Sequence, residues 1–184
     1  MGAGESIPQG ELDNLVESTN FNKNELRRWY AKFIKDYPEG RLNKEQFLHM
    51  YNSISKGGNT DEVLAAHIFR TFDRDNDGHI SFKELMSSLS VTSRGTVREK
   101  LQWAFNIYDI DGSGTITMEE INDIVKSLKQ VGNANVAEGN KISNEELEGM
   151  FTTMDVNSDG SLTVEEFIEG VQQYPRFISM LNGT

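Results

Sequence analysis

The sequence predicts an all-α protein of four helix–loop–helix units arranged in two pairs, with very short antiparallel strands linking the paired loops. Three observations carry this. A loop with a turn glycine at its sixth position recurs, starting at residues 35, 73, 109 and 155, so the spacings are 38, 36 and 46 residues. Each copy has an aliphatic residue at position eight: Leu42, Ile80, Ile116 and Leu162. Apolar residues at helical spacing flank every loop. Repetition on this scale outweighs any single motif match.

The second copy shows the chemistry most plainly. Asp73, Asp75 and Asp77 put oxygens at positions one, three and five, and Gly78 makes the sharp turn at position six. His79 ligates through its backbone carbonyl, so the imidazole is incidental. Ser81 reaches inward mostly through water, and Glu84 offers two carboxylate oxygens at position twelve. Calcium is a hard cation that takes six to eight oxygens in a flexible cage, and this spacing supplies them. The third copy offers Asp109, Asp111, Ser113, Thr115 and Glu120, with Ser113 departing from the usual Asp or Asn at position five. The fourth offers Asp155, Asn157, Asp159, Ser161 and Glu166 and fits fully. The first copy is spoiled. It has Lys35 at position one, Tyr37 at three and Gln46 at twelve, so an ammonium sits where an ion should and no bidentate carboxylate is available. It reads as a metal-free partner kept because the second loop needs a strand to pair with. Leu42 then pairs with Ile80, and Ile116 with Leu162.

Composition agrees. The chain has 184 residues and a net charge of −11. Residues 1–92 carry 11 basic and 14 acidic side chains, and residues 93–184 carry 7 and 15. These halves are the expected domains, each one pair of loops. The ligand positions hold formal charges of −4, −3 and −3 in the three intact loops. Up to three calcium ions would offset most of that, and magnesium can occupy some loops at rest. Nucleic acid is a poor partner for this sign of charge. With no cysteine, disulfides and thiolate zinc sites are excluded. His49, His67 and His79 show no catalytic or metal-site spacing and no phosphate-cradling loop is present, so the chain reads as no enzyme. No signal peptide or spanning apolar run is visible, which points to the cytoplasm.

In chain order, Met1-Gly2-Ala-Gly-Glu-Ser6 fits N-myristoylation at Gly2. A short helix follows over 11–18 with Leu12, Leu15 and Val16 on one face. Asn22 to Glu25 reads as a capping box opening a helix that carries Leu26, Trp29, Tyr30, Phe33 and Ile34. The same helix bears Lys23, Arg27, Arg28, Lys32 and Lys35, either a solvated face or a contact for anionic lipid. Lys44 to Ser53 exits the spoiled loop. Lys56 to Asn59 is a break, and Thr60 caps a helix running to Phe72. Phe82 to Leu89 exits the second loop, and Ser90 to Gly95 reads as the hinge between halves. Thr96 to Glu99 is a capping box, and its helix with Leu101, Trp103, Phe105 and Tyr108 enters the third loop. Met118 to about Gln130 exits it. Val131 to Lys141 is a connector that absorbs the longer spacing. Ser143 to Glu146 caps the helix into the fourth loop, and Val164 to Val171 leaves it. Pro175 suits the start of a last helix with Phe177, Ile178 and Leu181.

Arg28-Trp-Tyr-Ala-Lys-Phe-Ile-Lys-Asp36, the Ser90-Val-Thr-Ser-Arg-Gly-Thr96 linker and Lys100-Leu-Gln-Trp-Ala-Phe105 carry a family resemblance. With a disabled first EF-hand and three intact ones, the chain resembles the neuronal calcium sensors, the group of recoverin, frequenin, hippocalcin and visinin-like proteins. The resemblance implies myristoylation at Gly2 and a calcium-dependent choice between burying and exposing the acyl chain. Tyr37-Pro38 stands where the family usually has Cys-Pro. The intact fourth loop and short tail disfavour a recoverin-like kinase inhibitor. The linker favours the frequenin and hippocalcin branch, while Glu166 to Val171 also resembles guanylate cyclase-activating proteins.

The expected mechanism is a sensor. Movement of the position-twelve glutamates shifts each exiting helix and opens an apolar groove. In the first half Trp29, Phe33, Tyr51, Phe69, Phe72, Phe82, Leu85 and Leu89 would line it and receive an amphipathic target helix. Ordinary core is the alternative for each of them singly. Reversible membrane contact would come from the acyl chain and basic residues together. A calcium buffer that binds without opening is the competing function.

Overall fold

In the computed structural model the described residues are 6–54, 62–131 and 143–174. Gly2, the Lys56–Asn59 break, the Thr60 cap, all but the first residue of the connector from Val131, and the expected last helix lie outside them. The element order is α1 (Gln9–Ser18), α2 (Lys23–Asp36), β1 (Arg41–Asn43), α3 (Lys44–Ile54), α4 (Glu62–Phe72), β2 (His79–Ser81) and α5 (Phe82–Arg94). There follow α6 (Val97–Tyr108), β3 (Ile116–Thr117), α7 (Met118–Val131), α8 (Asn144–Met154), β4 (Ser161–Leu162) and α9 (Val164–Val171). The fold is all-α with paired helix–loop–helix units and short antiparallel strands between loops, as the repeat spacing requires. Among the described residues no helix is long and apolar enough to cross a membrane.

The strands pair in the expected register. Leu42 faces Ile80 and Ile116 faces Leu162, each pair antiparallel. All four of these aliphatic side chains are fully buried. A strand of two or three residues has almost no stability alone, so burial of the position-eight side chains is what fixes the register.

The described residues form two compact units. One comprises residues up to Tyr51 together with Ile68–Thr96, and the other Val97 onward together with the end of α3 and the start of α4. In the first, α1 packs on both α2 and α5 through Leu12 and Leu15, and α2 packs on α5. Phe82 at the start of α5 meets Tyr30 edge-on at 5.0 Å and Phe33 at 5.4 Å. Phe47 of α3 is buried against Phe69 at 5.6 Å and Phe72 at 5.1 Å, both on α4. In the second unit α9 packs on α6 and α8, with Leu101, Phe105, Ile121, Phe151 and Ile168 in its core.

Capping chemistry sets the helix starts. Asn22 accepts from the backbone N–H groups of Asn24 and Glu25 while Glu25 accepts from Asn22 N–H, the expected box. Ser143 and Glu146 do the same for α8. One boundary differs: α5 runs past the expected end at Leu89. The segment read as a hinge from Ser90 is helical through Arg94, and only Gly95 leaves the helix, with φ −66° and ψ 158°. Ser90 is buried and accepts a hydrogen bond from Asn20 N–H at 2.8 Å. Thr92 Oγ1 donates back to the Ser88 carbonyl at 3.1 Å. Hydroxyl-rich segments are poor helix formers when free, and here contacts seventy residues away in sequence hold the helix.

Candidate metal centres

The three intact loops share one hydrogen-bond plan. At position one, a carboxylate takes the position-six glycine N–H: Gly78 to Asp73 at 3.0 Å, Gly114 to Asp109 at 3.0 Å and Gly160 to Asp155 at 2.9 Å. Its other oxygen takes the position-five N–H, at 3.1, 2.9 and 3.2 Å from Asp77, Ser113 and Asp159. The position-three side chain accepts from that same N–H in each loop. These donors fix the orientation of the position-one and position-three side chains.

Two left-handed residues produce the wrap. The glycines at position six have φ of +82°, +86° and +84°. Position four is left-handed as well: Asn76 at +57°, Gly112 at +74° and Ser158 at +58°. Asn tolerates this region better than most side chains, and glycine takes it freely.

Position twelve has two jobs. Glu84 Oε2 accepts from Ser81 N–H and Oγ at 2.9 and 2.7 Å, while Ser81 Oγ accepts from Glu84 N–H. Thr117 with Glu120 and Thr163 with Glu166 repeat this. Positions nine and twelve are therefore the capping box of the exiting helix. Thr117 and Thr163 are thus functional residues that the ligand spacing alone does not single out. Their signal is the capping-box pattern itself, present in Ser-Phe-Lys-Glu, Thr-Met-Glu-Glu and Thr-Val-Glu-Glu. The second glutamate oxygen reaches across the loop to the position-two N–H: Arg74 at 2.9 Å, Ile110 at 2.8 Å and Val156 at 3.2 Å.

Carboxylate oxygens of Asp73, Asp75 and Glu84 lie within 4.8 Å of one another, as do those of Asp109, Asp111 and Glu120. Asp73, Asp109 and Glu120 are buried. Burial pushes the Asp73 carboxyl above its usual range. The Ser113 hydroxyl holds Asp111 below its usual range, the Ser161 hydroxyl does so for Asp159, and the Thr163 N–H does so for Glu166. Three mutually close carboxylates, partly desolvated, repel one another unless a cation neutralises them. An all-oxygen set of this charge fits a hard divalent ion and suits no soft metal. In the fourth loop Asn157 replaces one acid, and its amide donates to Asp159 at 2.9 Å. Asp77 and His79 stand at positions five and seven, where His79 N–H donates to Asp77 at 2.7 Å. Ser113 Oγ lies 3.1 Å from the Thr115 carbonyl, and Ser161 Oγ donates to Asp159 at 2.8 Å.

The first loop lacks this plan. Gly40 is left-handed at φ +73°, but its N–H donates to the Tyr37 carbonyl at 2.9 Å. The position nine–twelve box survives in amide form. Asn43 N–H donates to Gln46 at 2.9 Å and Gln46 N–H donates to Asn43 at 2.8 Å. The loop keeps its strand and its helix start without the acidic set.

Of the expected groove residues, Phe33, Phe69, Phe72, Phe82 and Leu85 are buried. Tyr51 and Leu89 are half-buried, and Trp29 is 48% exposed. Arg27, Arg28, Lys32 and Lys35 are exposed on α2.

Comparison with known proteins agrees. Residues 98–172 match a family model described as an EF-hand domain pair, and residues 38–92 match a second EF-hand domain pair model. S-modulin of Aquarana catesbeiana is 41% identical over 123 residues, 67% of this chain and 60% of that protein. Recoverin of Homo sapiens is 41% identical over 118 residues, 64% of this chain and 58% of that protein. The chain thus spans about three-fifths of these two relatives. Calcium-binding protein NCSA of Dictyostelium discoideum is 37% identical over 137 residues, 74% of this chain and 72% of that protein. Two matched EF-hand pairs, a shared loop plan and a relative covered over most of its length place one conclusion beyond the fold: the chain belongs to the neuronal calcium sensor family.

Proposed function

We propose that this protein is a cytoplasmic calcium sensor that regulates a target protein at a membrane surface. One observation carries the reading. Glu84, Glu120 and Glu166 each face their loop and also form the third residue of the exiting helix, so carboxylate position and helix position are one mechanical unit. Asp73, Asp75, Asp77, His79 and Glu84 would hold one calcium ion. Asp109, Asp111, Ser113, Thr115 and Glu120 would hold a second, and Asp155, Asn157, Asp159, Ser161 and Glu166 a third. A bound calcium supplies the positive charge that lets these acids stay close. Magnesium fits some loops at rest.

An ion held by the inward-facing glutamates would fix the starts of α5, α7 and α9 to their loops, and its loss would release them. In the first pair of hands calcium binding would part the buried Phe33, Phe69, Phe72, Phe82 and Leu85 and present them with Trp29, Tyr51 and Leu89 to a target's amphipathic helix. The exposed basic face of α2 and an acyl chain on Gly2 would give reversible peripheral contact with anionic lipid, since one acyl chain alone binds only marginally. The role is regulation in trans, with no catalysis.

The test is a calcium titration read two ways: native mass spectrometry of protein from its own cells, and fluorescence of a hydrophobic dye. Three bound ions, an acyl mass and a rise in dye signal are expected. Ions bound with no change in dye signal would identify a buffer. Fewer than two tight sites would remove the reading altogether.

A further inference from the structure

Three aspartates of the chain are followed by glycine: Asp77–Gly78, Asp111–Gly112 and Asp159–Gly160. Such a bond is open to one uncatalysed reaction, because glycine puts no side chain in the way of ring closure. The glycine nitrogen attacks the aspartate Cγ, and the new C–N bond closes a succinimide ring. The amide proton leaves with a carboxyl oxygen and its proton as one water. Water then adds back across either ring C–N bond. One product is aspartate again. The other is isoaspartate, in which the main chain runs through Cβ and Cγ.

All three aspartates are exposed. Each carboxylate accepts the N–H two residues on: His79 to Asp77 at 2.7 Å, Ser113 to Asp111 at 2.9 Å and Ser161 to Asp159 at 2.9 Å. The three differ at the attacking nitrogen. Gly78 and Gly160 stand at position six, where their N–H groups are held by Asp73 at 3.0 Å and Asp155 at 2.9 Å. Gly112 stands at position four, and among the described residues no hydrogen bond holds its N–H. A second left-handed glycine, Gly114, follows two residues on. The second and fourth loops have Asn76 and Ser158 at position four, so aspartate followed by glycine at positions three and four belongs to the third loop alone.

We propose that the Asp111–Gly112 bond is a site of isoaspartate formation, and that a cation held in the third loop guards it. This rests on the reading above, in which Asp111 is a ligand of that loop. A ligated carboxylate is not free to turn its Cγ onto the Gly112 nitrogen, so the reaction is confined to the time the loop spends empty. The product carries one extra methylene in its main chain and a carboxylate one carbon nearer to it. Gly114 N–H then no longer falls on Asp109, the bond that closes the loop at 3.0 Å. The third site is lost while the second and fourth remain.

The test ages the full chain at neutral pH and physiological temperature, in calcium or in chelator. Peptide mass spectrometry with electron-transfer fragmentation tells isoaspartate from aspartate residue by residue, and calorimetric titration counts the sites that survive. In chelator, isoaspartate should accumulate at Asp111 about tenfold faster than at Asp77 or Asp159, the factor set by the charge-assisted hydrogen bond that Gly78 or Gly160 must give up. Calcium should suppress the reaction at Asp111, and chain aged in chelator should lose one site. Two variants move the reaction. Gly112→Ser installs the residue type that position four holds in the fourth loop, so the third site should remain while isoaspartate at Asp111 falls. Asn76→Gly should bring isoaspartate to Asp75. Equal rates at Asp77, Asp111 and Asp159 would overturn the inference alone. So would a rate at Asp111 that calcium leaves unchanged while the loops fill, or an Asn76→Gly chain with no isoaspartate at Asp75. A fresh chain whose ion count is the same with and without Glu120→Gln would overturn the third loop as a cation site, and the guard with it.

Discussion

The first loop and the three intact loops share a length, a position-six glycine and a position-eight aliphatic, yet they close differently. In the intact loops the glycine N–H goes to an aspartate side chain, and in the first loop it goes to a backbone carbonyl. The missing acids at Lys35 and Gln46 explain only part of this. Position four explains the rest. It is left-handed in all three intact loops, and in the first loop it is Pro38. Proline locks φ near −65°, so the first loop cannot wrap in the same way whatever its ligands are. The lesson is that a cation loop needs a backbone path as well as oxygens, and the two can be lost separately.

That comparison can be broken most decisively by rebuilding the first loop. Lys35→Asp, Tyr37→Asp and Gln46→Glu together should add no site in a calorimetric titration. Adding Pro38→Gly to the same three should raise the count by one. A fourth site appearing with Pro38 in place would refute the backbone argument. The reverse change, Asn76→Pro, should abolish binding at the second loop while its acids remain. Next in size, Glu120→Gln keeps the helix box and loses the bidentate carboxylate, so affinity at the third loop should drop by about 100-fold. Gly78→Ala is smaller. A Cβ meets nothing there, so the cost is the left-handed backbone alone, about 1–2 kcal/mol by urea unfolding of the ion-free protein. The smallest effect is on pH dependence. The Arg94 guanidinium holds the Glu25 carboxyl at about 2 against a usual 4.5. A depressed folded value stabilises the fold above 4.5 and loses that contribution as pH falls from there toward 2. The stability of Glu25→Gln should therefore vary less with pH than wild type across that window, lying below wild type at neutral pH and meeting it near pH 2.

Much of the fold and of the candidate sites is legible in the residues alone. Loop starts, ligand positions and the pairing of Leu42 with Ile80 and Ile116 with Leu162 follow from spacing, because loop chemistry is local and position eight has one face to bury. The Asn22–Glu25 and Ser143–Glu146 boxes are local too. The features that spacing does not reveal depend on distant partners. Ser90 to Arg94 has the composition of a hinge, and it is helical because Asn20 and Glu25 grip it from far back in the chain. Phe33 and Phe82 look the same in sequence whether they line a groove or fill a core, since one aromatic stripe serves both. Pro38 is visible in the sequence, but its meaning at position four comes only from the left-handed φ values of the other three loops.

The shared duty of positions nine and twelve has a spectroscopic consequence. Each exiting helix already holds its own first turn through Ser81, Thr117 or Thr163, so emptying a loop removes no nucleating contact. Far-ultraviolet circular dichroism should be nearly blind to the ion. The response belongs to aromatic environment and tertiary arrangement, and a cell could cycle such a molecule repeatedly without ever melting and regrowing a helix.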